Sequence, residues 1–167
     1  MNLFRFSLMA ALCSVIGLVR AGETIATDAW EYEAPAGWTM NRDTFPPQSI
    51  GPHNELVQFS SSSLPALSEG AVAASIRAER ESVTRNLIQQ TASAPDLRIT
   101  KSLQETNLAP ELKVLEIDAE SKDRKDVFDE FVLIGPHAII LVTYEAPSPS
   151  TSLEIIRRAL FHIKWAA

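Results

Sequence analysis

The stretch that decides the fold is residues 113–144, KVLEIDAESKDRKDVFDEFVLIGPHAIILVTY. Its first part alternates, so that Leu115 and Ile117 share one face of an extended chain while Glu116 and Asp118 take the other. This period of two predicts a strand with one apolar face.

Two further strands follow within the same stretch. The polar run 121–126 has the composition of a solvated turn and leads into 127–134. A Gly-Pro-His turn at 135–137 then leads into 138–144, which reads AIILVTY. A run this apolar is typical of a strand that is covered on both faces. We therefore predict an antiparallel meander, since short turns can join antiparallel strands.

Upstream of the meander the chain contains shorter extended segments. Residues 29–40, AWEYEAPAGWTM, predict a short strand, a turn at Pro-Ala-Gly, and a second strand that begins near Trp38. Residues 55–60 alternate and predict another strand, with the serine run 60–63 leading out of it. Residues 97–100 alternate as well.

Two amphipathic helices are predicted around the meander. The first covers 68–91 with Ser68 as its N-cap, and its apolar face is formed by Val72, Ile76, Val83 and Leu87. The second begins at a capping-box pair, Thr151 and Glu154, and ends near Trp165. Its apolar face is formed by Leu153, Ile156, Leu160 and Ile163.

This order of elements predicts an α/β protein of the α+β type. An antiparallel β-sheet flanked by two helices buries all the apolar faces in layers. We expect one globular domain spanning 22–167.

The first 21 residues differ in composition from the rest. They carry two bases, Arg5 and Arg20, and no acid, and residues 7–19 are an uncharged apolar run. These are the regions of a secretory signal peptide, and the run is shorter than the roughly 20 residues that span a bilayer. We predict a signal peptide at 1–21 and a periplasmic or secreted protein, with a retained anchor as the alternative. The only cysteine, Cys13, lies in this leader, so the mature chain has no disulfide.

The net charge argues against two classes of partner. The chain carries a formal charge of -6, which becomes -8 without the leader because the leader holds two bases and no acid. Nucleic acids and anionic lipid surfaces select Lys and Arg. We therefore expect no nucleic-acid partner and no stable membrane insertion after cleavage.

Both ends of the predicted domain carry a family resemblance. Trp30, Tyr32, Pro35, Gly37 and Trp38 form W-x-Y-x-x-P-x-G-W. This motif resembles the start of the PsbP-like α/β/α domains, a wider group that includes the periplasmic DcrB-type proteins, and residues 161–165 are similar to the group's aromatic tail. The resemblance implies a PsbP-like α/β/α sandwich and a mostly non-catalytic group of accessory and binding proteins. It transfers no site residue.

Residues that could carry chemistry are few. The three histidines, His53, His137 and His162, have no ligand at metal spacing. His53 and His137 each follow Gly-Pro, which predicts exposed turns, although two such turns that meet could bind a metal. No G-x-S-x-G elbow is present, so a Ser-His-Asp group would have to assemble from distant residues.

Acidic residues gather at the turn of the meander, and this cluster comprises Asp118, Glu120, Asp123, Asp126, Asp129 and Glu130. The spacing does not match a calcium loop, and three bases lie among the acids. We expect a solvated, charged hairpin, with an acidic face as the alternative.

The loop at 41–54 is the predicted partner contact. It is rich in proline and long for its context, and irregular loops of this length are often functional. Trp38, Met40, Phe45 and His53 are the expected contact residues, because aromatics and Met are enriched in interface cores. Alternatively, Trp38 and Phe45 cap the core.

The sequence thus predicts an exported, non-enzymatic protein that binds another protein, with no cofactor, no metal and no catalytic residue. One specific version is an immunity protein that neutralises a periplasmic toxin. A second hypothesis is small-ligand or lipid binding between sheet and helix, which needs an apolar pocket of roughly 300 Å³. An enzyme with a dispersed site is the third.

Overall fold

The computed structural model describes residues 23–41, 43–110 and 112–166. The predicted signal peptide at 1–21 lies outside the described residues. A short 3₁₀-helix, Leu67–Glu69, precedes the first α-helix. The other elements are β1 (Thr24–Ala26), β2 (Trp30–Glu33), β3 (Thr39–Asn41), β4 (Gln48–Ile50), β5 (Leu56–Ser63), α1 (Ala71–Ala92), β6 (Leu97–Ala109), β7 (Leu112–Ser121), β8 (Asp126–Ile134), β9 (Ala138–Pro147), α2 (Leu153–Phe161) and β10 (Lys164–Trp165).

A seven-stranded antiparallel sheet forms the centre, in the order β3-β4-β5-β9-β8-β7-β6. The predicted meander is confirmed, since β7, β8 and β9 pair in succession. The prediction that β9 is covered on both faces is also confirmed, because Ile139 and Ile140 lie in two separate apolar clusters. The α+β fold class is therefore as the sequence predicts.

The serine run 60–63 does not leave the strand as predicted. It continues β5 and pairs with β9 as far as Ser63 opposite Ala138. β4 pairs with β5 only along residues 56–58, so the serine side chains beyond that point lie in water. Hydroxyl groups are tolerated there because solvent hydrates them.

The two faces of the sheet carry different layers. On one face, α1 covers the cluster that contains Leu115 and Val132. On the other face, α2 and a small antiparallel sheet cover the cluster that contains Phe131 and Tyr144. The small sheet has the order β1-β2-β10. The result is a three-layered domain in which each helix packs on its own side.

The apolar face predicted for α1 is wrong. Val72 is 73% exposed, and Val83 and Leu87 are exposed as well. The helix packs instead through its buried residues Ala73, Ile88 and Ala92. Polar contacts also join α1 to the sheet. The guanidinium of Arg77 donates to the Gly135 carbonyl at 2.7 Å, and Lys113 Nζ lies 2.8 Å from Glu81 Oε1. The N-cap is Gly70 rather than Ser68, and its φ of 90° suits a glycine.

The apolar face predicted for α2 is confirmed, with Ile156, Leu160 and Ile163 buried. The helix ends earlier than predicted, because β10 leaves it to pair with β2, which places Trp165 opposite Trp30. The predicted capping box does not form, since the N-cap is Ser152 and no side chain caps the helix. Within the described residues, neither helix is long and apolar enough to cross a membrane.

Candidate functional site

The predicted partner loop is a β-hairpin in the structure. β3 and β4 pair, with Asn41 opposite Gln48, so the irregular segment shrinks to the hairpin tip around residues 43–47. Phe45 lies in this tip and is 100% exposed. Local hydrogen bonds shape the approach to it, because the Asp43 amide and the Thr44 hydroxyl both donate to Asn41 at 3.2 Å. The tip therefore presents one large aromatic side chain directly to solvent.

Of the other expected contact residues, Trp38 is withdrawn from the surface. Trp38 is only 5% exposed and belongs to the core cluster. It packs so closely on Gly51 that a methyl group there would overlap its ring. Met40 is half-buried against the same cluster. For Trp38, the alternative that it caps the core is the correct one.

His53 lies in the turn before β5 and contacts a buried carboxylate. Its amide donates to Glu55 Oε2 at 2.7 Å, and its Nδ1 lies 3.3 Å from Glu55 Oε1. The Ser152 hydroxyl donates to the same Oε1 at 2.5 Å. Burial opposes ionisation of Glu55, but these hydrogen bonds hold its pKa below the ordinary value.

This Ser-Glu-His group does not have the geometry of a catalytic triad. In a triad the imidazole stands between the hydroxyl and the carboxylate and takes the proton from the hydroxyl. Here the carboxylate of Glu55 stands in the middle, and Ser152 donates to it rather than to His53. The group instead anchors the turn before β5 to the start of α2.

The remaining histidines have structural contacts. His137 is half-buried rather than exposed, and its carbonyl accepts from the Leu64 amide at 2.7 Å. His162 Nδ1 lies 2.7 Å from the Arg158 carbonyl at the end of α2. Within the described ranges, His53 and His137 belong to no group of residues at metal-ligand distances.

The expectation of a solvated acidic hairpin is wrong for its strand residues. Asp123 is exposed in the turn and binds Lys125 Nζ at 2.9 Å, as that expectation requires. Asp129, however, is 2% exposed and Glu130 is 5% exposed. They lie on opposite faces of β8, and both faces are covered by other layers. The spacing of the acids gave no indication that both faces would be covered.

On the α2 side of the sheet, Glu116, Asp118 and Asp129 form an acidic group whose ligand oxygens lie within 4.8 Å of one another. Three carboxylates could hold a divalent cation. Two of them already have basic partners: Arg157 Nε donates to Glu116 at 3.0 Å, and Lys101 Nζ lies 3.8 Å from both Glu116 and Asp118.

Asp129 is the member of this group without a basic partner among the ion pairs of the described residues. Burial, and after it the charge of Asp118, raises the pKa of Asp129 to about 8. One oxygen of each of these two carboxyls is buried with no hydrogen-bond partner among the described atoms. The raised pKa favours the protonated form of Asp129, because burial and the nearby charge of Asp118 both oppose its ionisation.

On the α1 side, Glu130 lines a cavity of about 230 Å³ between the C-terminal end of α1 and the sheet. The walls are mostly apolar and include Ala92, Leu97, Ile117 and Phe128. The Glu130 carboxylate accepts a hydrogen bond from Thr143 at 3.1 Å. Burial raises the pKa of Glu130 to about 7, although the Thr143 hydrogen bond partly offsets the effect.

Comparison with known proteins finds likeness at the level of structure. No protein-family model matches the sequence, and no curated protein matches it. The chain is similar to the solution structure of cyanobacterial PsbP (CyanoP) from Synechocystis sp. PCC 6803, with 11% identity and a TM-score of 0.49 over 92% of this chain and 97% of that chain. The resemblance of the sequence to the PsbP-like group rests on its own motif, and its DcrB-type part stays a prediction. The likeness concerns the fold alone, and no role of any residue is taken from it.

Proposed function

We propose that this protein is an exported, non-enzymatic domain that binds another protein through the tip of the β3–β4 hairpin, with Phe45 as its central contact. The observation that carries the proposal is the complete exposure of Phe45. Large aromatic side chains dominate the energy of protein interfaces, and loops on a rigid sheet carry binding residues in many folds.

The position of the hairpin supports this role. β3 is one of the two edge strands of the seven-stranded sheet, so among the described residues no further strand of this sheet lies beyond the hairpin. The base of the hairpin is fixed, since the Met40 amide donates to Glu23 Oε2 at 2.9 Å and the Phe59 amide donates to the Pro47 carbonyl at 3.1 Å. A fixed hairpin loses little conformational entropy when it binds.

The acidic charge of the chain favours a basic partner. With a formal charge of -6, or -8 without the predicted leader, the protein attracts positively charged surfaces over long range. An immunity protein that neutralises a basic periplasmic toxin is the specific form of the proposal. A lipid ligand is not favoured in the cavity beside Glu130, because its volume of about 230 Å³ is below the roughly 300 Å³ at which pockets for drug-sized ligands begin.

Affinity capture from periplasmic extract tests the proposal. The tagged protein is expected to recover one partner in stoichiometric amount, and Phe45→Ala to recover at least about 10-fold less, which corresponds to about 1.4 kcal/mol. Ile155→Ala is the matched control, since Ile155 is a half-exposed apolar residue on α2, away from the hairpin. Equal recovery by Phe45→Ala and the wild type would refute the role of the hairpin.

A further inference from the structure

The cavity beside Glu130 combines two properties that rarely occur together. Its walls are built from small and apolar side chains, namely Ala92, Ala94, Leu97, Ile117, Ala119 and Phe128. Its floor contains a carboxylate that is 5% exposed. Among the described residues no lysine, arginine or histidine forms an ion pair with Glu130, and its hydrogen-bond partner is the hydroxyl of Thr143.

An unpaired buried carboxylate is unfavourable when ionised, because a hydroxyl donor replaces only part of the lost hydration. The other charged groups that line the cavity are also acidic. Asp96 comes from the loop after α1 and Glu145 from β9, whereas α1 and β7 contribute uncharged side chains. The charged residues described as lining the cavity are therefore all acidic, and no basic residue stands among them.

We propose that this cavity binds a small organic cation, an ammonium group that carries a short apolar chain, with Glu130 as its counter-ion. The ammonium would take the place of the missing basic partner at Glu130, and the apolar chain would pack on Ile117 and Phe128. The inference goes beyond the proposed function, since the cavity is on the α1 side of the sheet and does not involve the β3–β4 hairpin.

The shape and chemistry of the cavity exclude other kinds of cation. A metal ion requires about six oxygen ligands, and among the described residues the three carboxylates that line this cavity, Asp96, Glu130 and Glu145, do not form a group at metal-ligand distances. The volume of about 230 Å³ is below that of drug-sized ligand pockets. A linear amine with a few carbon atoms needs only one counter-ion and fits within this volume.

Binding of such a cation depends on the protonation of Glu130. Burial raises the pKa of Glu130 to about 7, and burial followed by the charge of Asp126 raises the pKa of Glu145 as well. Protons and the ammonium compete for the Glu130 carboxylate, while the ligand amine stays charged throughout. Affinity is therefore expected to fall about 30-fold between pH 8 and pH 5.5.

Titration of the purified protein with n-butylammonium chloride, followed by amide chemical shifts, tests the proposal. A ligand of this size is expected to bind with a dissociation constant of about 1 mM, and the shifts should concentrate at Ile117, Ala119 and Phe128. 1-Butanol, which has the same chain without the charge, is expected to bind at least about 10-fold more weakly.

Two variants complete the test. Glu130→Gln keeps the size and the Thr143 contact but removes the charge, and it is expected to weaken n-butylammonium binding at least about 10-fold at pH 8. Glu79→Gln, an exposed carboxylate on α1, is the matched control and is expected to bind as the wild type does. The proposal is overturned if butanol binds as tightly as butylammonium, if Glu130→Gln binds unchanged, or if no saturable shifts occur up to about 50 mM.

Discussion

Replacement of Glu130 by glutamine offers a quantitative test of the buried acid on β8. In the folded protein the pKa of Glu130 is raised from 4.5 to about 7, mainly by burial. The folded state therefore holds this proton over a pH range in which the unfolded chain has released it. Between pH 4.5 and pH 7 the folded state binds more protons than the unfolded state, so the free energy of unfolding falls as pH rises.

The magnitude follows from the size of the shift. Each pKa unit corresponds to about 1.4 kcal/mol, so the full shift of Glu130 lowers the free energy of unfolding by about 3 kcal/mol at pH 8. At pH 4 the group is largely protonated in both states and contributes only about 0.2 kcal/mol to this difference. Glutamine is neutral at every pH and can still accept from Thr143. Glu130→Gln is therefore expected to be more stable than the wild type by about 3 kcal/mol at pH 8 and equally stable at pH 4.

Urea unfolding of both proteins at pH 4 and pH 8 measures this difference. With an m-value of about 2 kcal/mol/M, the midpoint of Glu130→Gln should lie about 1.5 M higher at pH 8. Asp129 also has a raised pKa, so the wild type and the variant share its pH dependence, which cancels in their comparison. Glu79→Gln should change stability by less than about 0.5 kcal/mol at both pH values. A variant that is less stable than the wild type at pH 8, or equally shifted at both pH values, refutes the reasoning.

Three further substitutions test the layers. Arg157→Met leaves the buried Glu116 carboxylate without its guanidinium partner and is expected to lower the free energy of unfolding by about 3 kcal/mol at pH 7. Adding Glu116→Gln should recover most of this loss, because no buried charge then lacks a partner. A double variant that is as unstable as Arg157→Met alone would contradict this expectation. Gly135→Ala places a methyl group inside the ring of Trp165, so urea unfolding is expected to show a free energy of unfolding lower by about 1–3 kcal/mol. An unchanged urea midpoint would contradict the close packing of Trp165 on Gly135. Val83→Ser should change the free energy of unfolding by less than about 0.5 kcal/mol, because the Val83 side chain on α1 faces solvent. A melting temperature lower by several degrees would show that this side of α1 is covered.

The meander could be predicted because its evidence is local. Alternation at Leu115 and Ile117, two turn segments and the apolar run 138–144 each specify one strand or turn without reference to distant residues. The pairing of β9 with β5 and of β10 with β2 joins segments that are far apart in the chain. Nothing in the local pattern at Trp165 indicates that it lies opposite Trp30.

The buried side of α1 could not be predicted from hydrophobic periodicity. The helix presents Val72 and Leu87 to solvent. It packs through Ala73, Ile88 and Ala92, of which only Ile88 is large enough to give a clear periodic signal. Arg77 faces the turn between β8 and β9 and binds backbone carbonyls there. An exposed apolar residue is common in proteins, so an apolar stripe does not by itself identify the packed face.

The candidate sites also include one feature that the local sequence indicates and one that depends on distant contacts. The sequence predicts an irregular loop at 41–54, whereas residues 48–50 form β4 and place Phe45 at an exposed hairpin tip. Partner contact at Phe45 stays a prediction. The burial of Asp129 and Glu130 was missed, because acids on a strand normally indicate a solvated face. Only the arrival of α1 and α2 on opposite sides of β8 covers both residues.

The most direct test of the proposed function is site-specific photocrosslinking from the tip of the β3–β4 hairpin. Phe45 is replaced by p-benzoylphenylalanine in the full-length protein, and the same photoreactive residue at Val72, which is 73% exposed on α1, serves as the control. We predict that irradiation of the expressing cells yields one discrete protein adduct from position 45 and none of that mass from position 72. No adduct at position 45, or the same adduct from both positions, would contradict the claim that this hairpin is the partner-binding surface.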